Sequence, residues 1–257
     1  MRLLFLTIII CFLSVSAIAA DLVYFDSPEG MKRLEQSQAK VDFFPLANHF
    51  ESQQNKVFCG IASSVIILNT LRLDNPDIKK PEDNSLLTKE DRRYFPKGFD
   101  PIYQRYTQNT LLNAETKNKD EVLGKPVNIN GKTIANYGLQ LKELSALLTS
   151  YGLNVTTRVA NDNIKDEAIH TELINNLKTS GNYVLVNYSR KILGQGNGGG
   201  HISPLGAYDL ASDSFLIMDV NPNTSKWVWV KTTDLIKAMR TFDTTENRGY
   251  LLVKEGN

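Results

Sequence analysis

The chain has 257 residues, a formal net charge of +1 and 22% charged residues. That balance, with no Lys/Arg-rich block, argues against nucleic acid or a strongly charged membrane face as the partner. Two cysteines and three scattered histidines (His49, His170, His201) exclude a disulfide framework and supply no zinc-ligand spacing.

The chain opens with Met1-Arg2, the apolar run Leu3 to Val15, and the small residues Ser16-Ala17-Ile18-Ala19-Ala20. This is the pattern of a Sec-type signal peptide cleaved after Ala19 or Ala20. The run is short for a bilayer span. An exported protein, periplasmic or secreted, is therefore expected, with no membrane anchor after processing. Cleavage removes Cys11 and leaves Cys59 as the one thiol. A lone thiol in an oxidising compartment is either buried or used. Residues 21–257 are expected to form a single domain, long enough for a substantial core.

Residues 21–50 read as an irregular lead-in with one short helix over Glu29–Gln38. FCGIASSVIILNTLR, residues 58–72, reads as a buried helix. Five prolines between residues 74 and 135 punctuate a polar stretch of short helices. Leu139, Leu141, Leu144, Leu147 and Leu148 share one face of a helix that Gly152 ends. Asp166–Thr179 reads as another helix. Strands follow at Tyr183–Tyr188, Ile202–Asp209, Phe215–Val220, Trp227–Val230 and Tyr250–Lys254, being β-branched and aromatic and separated by turn residues. A short helix, Asp234–Arg240, precedes the last. The expectation is an α+β fold, with a helical N-terminal half and an antiparallel-sheet C-terminal half.

Cys59 begins the apolar helix, where unpaired N–H groups and the positive dipole end favour thiolate over thiol. Gly60 leaves the backbone beside the sulfur open to a carbonyl. A nucleophilic cysteine also needs a base, an orienting group and oxyanion donors. His201, after Gly198-Gly199-Gly200, is the candidate base. Asp219, on a neighbouring strand, is the candidate orienter. Gln53, six residues before Cys59, is the candidate amide donor to the oxyanion. Singly, each has an ordinary alternative: a core cysteine, a strand-edge histidine, a turn carboxylate and a polar loop residue. Gly194 to Gly199 matches G-x-G-x-x-G, but it opens no helix and no acidic residue follows in a βαβ unit, so dinucleotide binding is set aside.

Together these segments resemble the phytochelatin synthase family, a branch of the papain-like cysteine peptidases. QQNKVFCGIASSVIILNTL, from Gln53 to Leu71, is similar to its nucleophile segment, and GGGHISPLGAY, from Gly198 to Tyr208, to its base segment. Phe215 to Asp219 and Arg248-Gly249-Tyr250 resemble its acid and closing strands. The resemblance implies a papain-like fold, with Cys59 as nucleophile, His201 as base, Asp219 as orienter and Gln53 in the oxyanion hole. It implies substrate contacts from Arg190, Gly200, Arg248 and Asp243, the arginines pairing with substrate carboxylates and Asp243 with the γ-glutamyl amine.

The implied substrate is a small peptide, glutathione or its conjugates, cleaved at the Cys–Gly bond through a γ-glutamylcysteinyl thioester. Because the sequence ends at Asn257 without the Cys-rich region of plant members, hydrolysis to γ-glutamylcysteine is favoured over transfer to a second glutathione. No cofactor and no resident metal is implied. Activation by heavy-metal ions such as cadmium or zinc would act through the glutathione thiolate. A homodimer is left open. Two readings compete: a papain-like peptidase or amidase acting on other peptides, and a non-catalytic periplasmic thiol- or metal-binding protein.

Overall fold

The computed structural model describes residues 21–256 except 85–86, 114, 197 and 224–225. The signal-peptide pattern lies outside the described residues. No helix among them is long and apolar enough to cross a membrane.

The chain runs β1 (Val23–Tyr24), α1 (Pro28–Gln36), α2 (Phe43–Asn48), α3 (Cys59–Arg72), a 3-10 turn (Asp91–Tyr94), α4 (Lys119–Val122), β2 (Val127–Ile129) and β3 (Lys132–Ile134). It continues α5 (Leu141–Ser150), β4 (Asn154–Val159), α6 (Asp166–Leu177), β5 (Asn182–Ser189), β6 (Gly200–Asp209), β7 (Ser214–Ile217), β8 (Val228–Lys231), α7 (Thr232–Met239) and β9 (Gly249–Lys254). Seven strands form one sheet in the order β1-β8-β7-β6-β5-β9-β4, and each neighbouring pair is antiparallel. The fold is α+β, as expected.

Its layering departs from a helical half followed by a sheet half. Leu185, Leu216, Trp229 and Leu251 join one core with α3 and α5. Val184, Val186, Phe215, Ile217, Val228 and Val230 join a second core with α6 and α7. Side chains alternate across a strand, so strands covered on both faces read as continuous apolar runs such as YVLV and SFLI. The C-terminal half therefore carries helices too, and the sheet draws β1 and β4 from earlier in the chain.

Other elements differ from expectation. β1, α2 and β4 were not expected. Residues 74–135 hold little helix. They include the β2–β3 hairpin, whose register pairs Val127 with Ile134 and Ile129 with Lys132. Asn130 at φ 52° and Gly131 at φ 78° make its tight turn, the left-handed pair a two-residue hairpin requires. Helix α1 ends at Gln36, with Ser27 capping its start by accepting from the Gly30 N–H at 3.0 Å.

The β6–β7 ladder carries the feature that matters for the site. Its register shifts between Leu205 and Ala207, so Gly206 is the extra residue of a bulge. Regular pairing stops at Ile217, and the chain continues through Met218 and Asp219 beside the start of β6.

Candidate active site

Cys59 is the first residue of α3, and Phe58 before it supplies no side-chain cap. The amide groups of the first helical turn thus converge where the sulfur sits. Helix α3 is buried on nearly every side because it runs between the sheet and α5. Gly60 faces Ile202 and Leu139 closely, where a Cβ would lie 3.3 Å from Ile202 Cδ1. The glycine lets the helix start approach β6, which brings the sulfur to the imidazole.

His201 is the second residue of β6 and pairs with Tyr188 of β5. It is buried, and its Nε2 lies 2.8 Å from Asp219 Oδ1. That leaves Nδ1 as the ring nitrogen for the hydrogen bond with the Cys59 thiol. Asp219 is buried, and the Asn221 N–H donates to the same Oδ1 at 2.8 Å. Its Oδ2 accepts from the Tyr188 hydroxyl at 3.3 Å and lies 3.7 Å from Arg190 Nη2. The structure thus brings together the three residues expected as nucleophile, base and orienter.

The electrostatics favour an ion pair. Burial by itself pushes the Cys59 thiol up. The hydrogen bond and charge of His201, with the N–H groups of Ile202 and Gly60, outweigh it and hold the thiol below its ordinary value. Burial by itself pulls His201 down, but Asp219 and Cys59 together raise it to about 9. Asp219 is held low against its burial by His201, the Asn221 amide and Arg190. The arrangement shifts the pair toward thiolate and imidazolium. Alkylation of Cys59 by iodoacetamide is therefore expected to rise at a pH below that of an ordinary thiol. In His201→Ala the midpoint is expected to move up, since only the Ile202 and Gly60 N–H groups then oppose burial. Equal midpoints in the two proteins would refute the ion pair.

Gln53 is buried close by, anchored by its N–H to the Val220 carbonyl at 2.8 Å. Its Nε2 donates one hydrogen to the Asn55 carbonyl at 2.7 Å, and the amide's second hydrogen remains to be given. Its Oε1 is buried with no hydrogen-bond partner among the described residues.

Both arginines expected at the substrate are buried, and Arg190 lines the wider cavity described below. Arg190 backs Asp219. Arg248 donates through Nη1 to Thr241 Oγ1 at 3.0 Å and to the Phe242 carbonyl, and through Nη2 to Asp243 Oδ1 at 2.9 Å. Its guanidinium is committed to the turn that carries Asp243, where a free fork for a substrate carboxylate was expected. Gly200 lies against it: a Cβ there would meet Arg248 Nε and Nη2, each at 2.9 Å. Asp243 Oδ2 also accepts from Asn187 Nδ2 at 3.1 Å.

Two cavities flank the Cys59–His201 pair. One, of about 230 Å³, is lined by Cys59, residues 136–140, Asn187, Gly200, Asp243 and Thr244, among others. The other, of about 1030 Å³, is lined by Gln53, His201, Arg190, the glycine loop and residues 221–223. Gly194, Gln195, Gly196, Gly198 and Gly199 of the G-x-G-x-x-G stretch line this second wall. Sequence reasoning missed Tyr188, whose ring meets the His201 imidazole edge-on at 5.7 Å between centroids. Burial and Asp219 push its phenol well up, so it stays a donor. Only the strand register, which sets Tyr188 opposite His201, could have found it.

An α+β fold with a cysteine opening a buried helix and a His–Asp pair on the facing strands is the architecture of the papain-like class. Within that class, the chain belongs to the phytochelatin synthase family, whose sequence profile matches residues 13–92 and 96–250. It is 25% identical over 236 residues to a glutathione gamma-glutamylcysteinyltransferase of Schizosaccharomyces pombe, covering 90% of this chain and 48% of that relative. It is 26% identical to glutathione gamma-glutamylcysteinyltransferase 3 of Lotus japonicus, covering 90% and 42%, and 26% identical to glutathione gamma-glutamylcysteinyltransferase 2 of Arabidopsis thaliana, covering 93% and 46%. The chain spans less than half the length of each of these relatives.

Proposed function

We propose that the protein is a cysteine acyl-transfer enzyme that removes glycine from glutathione or its conjugates. The observation that carries this is the buried Cys59–His201–Asp219 array, set in a chain of the phytochelatin synthase family. The Cys59 thiolate attacks the Cys–Gly carbonyl. The oxyanion is held by the Cys59 N–H and the Gln53 amide. As the C–N bond breaks, imidazolium His201 gives its proton to the departing glycine nitrogen, leaving a γ-glutamylcysteinyl thioester on Cys59. Neutral His201 then takes a proton from the acceptor as it attacks, and the thiolate is restored. Asp219 keeps the ring oriented and stabilises its charge.

Asp243 faces the cavity beside Cys59 and is suited to the γ-glutamyl amine. Arg248 acts through Asp243, and Arg190 through Asp219. Water is the favoured acceptor, and a second glutathione is the alternative fate of the same thioester. Cadmium or zinc enters, where it acts, as the metal thiolate of glutathione. The signal-peptide pattern of residues 1–20 supports a reaction in an export compartment.

Mass spectrometry of the purified protein with glutathione, with and without cadmium, tests this. A γ-glutamylcysteinyl adduct on Cys59 with free glycine is expected, and γ-glutamylcysteine should exceed phytochelatin. No adduct and no glycine would overturn the proposal. Turnover of unblocked ordinary peptides at comparable rates would favour a general peptidase.

A further inference from the structure

We infer that Gln108, in the stretch between α3 and α5, is a positioning residue that holds Gln53 at the oxyanion. Loss of its side-chain hydrogen bonds then slows acyl transfer without weakening substrate binding. This rests on the proposed acyl-transfer reaction, which gives Gln53 its role. Gln53 has to keep a fixed distance from the Cys59 N–H, because both donors are aimed at one oxygen. Residues 54–58 between them form no helix or strand, so the spacing is set from outside.

One support is the sheet side. The Gln53 N–H donates at 2.8 Å to the carbonyl of Val220, the residue after Asp219. The other support is Gln108, which is 2% exposed. Its Oε1 accepts from the Gln54 N–H at 2.9 Å. Its Nε2 donates to the Ser52 carbonyl at 2.9 Å and to Glu51 Oε1 at 2.6 Å. One side-chain amide thus grips the residues before and after Gln53. With its oxygen and both amide hydrogens used, it has one orientation only.

Gln108 is itself tied to the helix that carries the nucleophile. Asn69 of α3 donates through Nδ2 to the Tyr106 carbonyl and accepts from the Tyr106 N–H through Oδ1, both at 3.0 Å. Tyr106 and Leu111 are buried in the core that α3 joins. The turn between them is closed by the Thr110 N–H on the Thr107 carbonyl at 3.1 Å. The link α3–Asn69–Tyr106–Gln108 therefore holds Gln53 and Cys59 in one frame. Gln108 lines neither cavity beside the Cys59–His201 pair, so it acts through Gln53 and not on the substrate. The same stretch also reaches the narrower cavity, where Lys117 donates to the carbonyls of Asn136 and Gly138 at 2.6 and 2.8 Å.

The test is a double-mutant cycle on the full chain, read as glycine release from glutathione. Gln53→Ala is expected to lower kcat about 100-fold. Gln108→Met keeps the volume but makes none of the three hydrogen bonds, and is expected to lower kcat about tenfold with KM within about twofold. In the Gln53→Ala background the same change is expected to cost less than about twofold, because the donor it positions is gone. The pH midpoint of Cys59 alkylation should hold in Gln108→Met, since the thiolate pair does not use the oxyanion donors. Gln108→Asn, one methylene too short for the same bonds, serves if Gln108→Met does not fold. Equal losses in the two backgrounds overturn the inference. So does a loss carried by KM, a shifted alkylation midpoint, or full activity in either single variant. All four proteins are also assayed with p-nitrophenyl acetate, whose attack by Cys59 forms an oxyanion without peptide recognition. The expected cycle on that ester without glycine release removes glutathione as substrate and keeps the role of Gln108. Glycine release with an additive cycle does the reverse, and acylation by neither donor removes both.

Discussion

Cys59→Ala is expected to lower glycine release from glutathione by about 10⁴-fold or more while leaving the fold intact. The size follows from the role: the covalent bond of the thioester is made by the Cys59 sulfur, and no other thiol exists among the described residues. The fold should survive because alanine fits the small volume at the start of α3, costing about 1 kcal/mol or less. Cys59→Ser is expected to be nearly as inactive. A hydroxyl is not ionised by the His201 pair, which depends on the lower acidity threshold of a thiol. Glycine release and a thermal melt on the same preparation check both halves. Substantial turnover by Cys59→Ala would move the chemistry elsewhere.

Asp219 gives the second large effect. Asp219→Ala is expected to lower kcat/KM by about 10²- to 10⁴-fold. Asp219→Asn keeps an oxygen for Nε2–H but removes the charge, and a loss of similar size, up to about 10⁴-fold, is expected. The pH profile separates charge from shape. His201 sits near about 9 because Asp219 and Cys59 outweigh its burial. Activity should therefore decline on the alkaline side as His201 loses its proton near about 9, and in Asp219→Asn that decline should move to lower pH. An unmoved alkaline limb would mean that Asp219 does not set the imidazolium.

The same linkage acts on stability. A folded value raised from 6.5 to about 9 stabilises the fold fully below the lower figure. That contribution is lost as pH rises through the upper one. Denaturation midpoints of the native protein and His201→Ala, compared between pH 6 and about 10, should converge at the alkaline end.

How much of this was legible beforehand depends on the residue. The helix at Cys59 could be read because its apolar run is uninterrupted, and the five C-terminal strands because burial on both faces leaves no polar alternation to confuse them. β4, NVTTRV, escaped because its side chains are only partly buried and its identity as a strand comes from pairing with β9. Of the short helices expected between residues 74 and 135, a 3-10 turn and α4 formed, and the rest is loop and hairpin, since proline marks interruptions without saying what lies between them. Lys117 shows that this stretch reaches the site, though its sequence contains nothing that looks catalytic.

The arginines are the instructive case. Both were expected to offer forks to a substrate, because arginine pairs with carboxylates. Each meets a carboxylate of the protein, Asp219 and Asp243, and Arg190 also lines the wider cavity. Residue type indicated the chemistry, and only packing could name the partner.

By itself, the sequence determined the local matters: which residues carry a thiol, an imidazole and a carboxyl, where the helix begins, and which strands lie in the interior. These follow from composition and short-range periodicity, which act within a few residues. The tertiary structure decided what long-range contact alone can set. The bulge at Gly206 and the end of pairing at Ile217 bring Asp219 to His201, 18 positions away. The close approach of α3 and β6 over Gly60 raises His201 and lowers Cys59 in the same step. The ties between residues 136–142 and 243–246 join the two walls of the cavity beside Cys59.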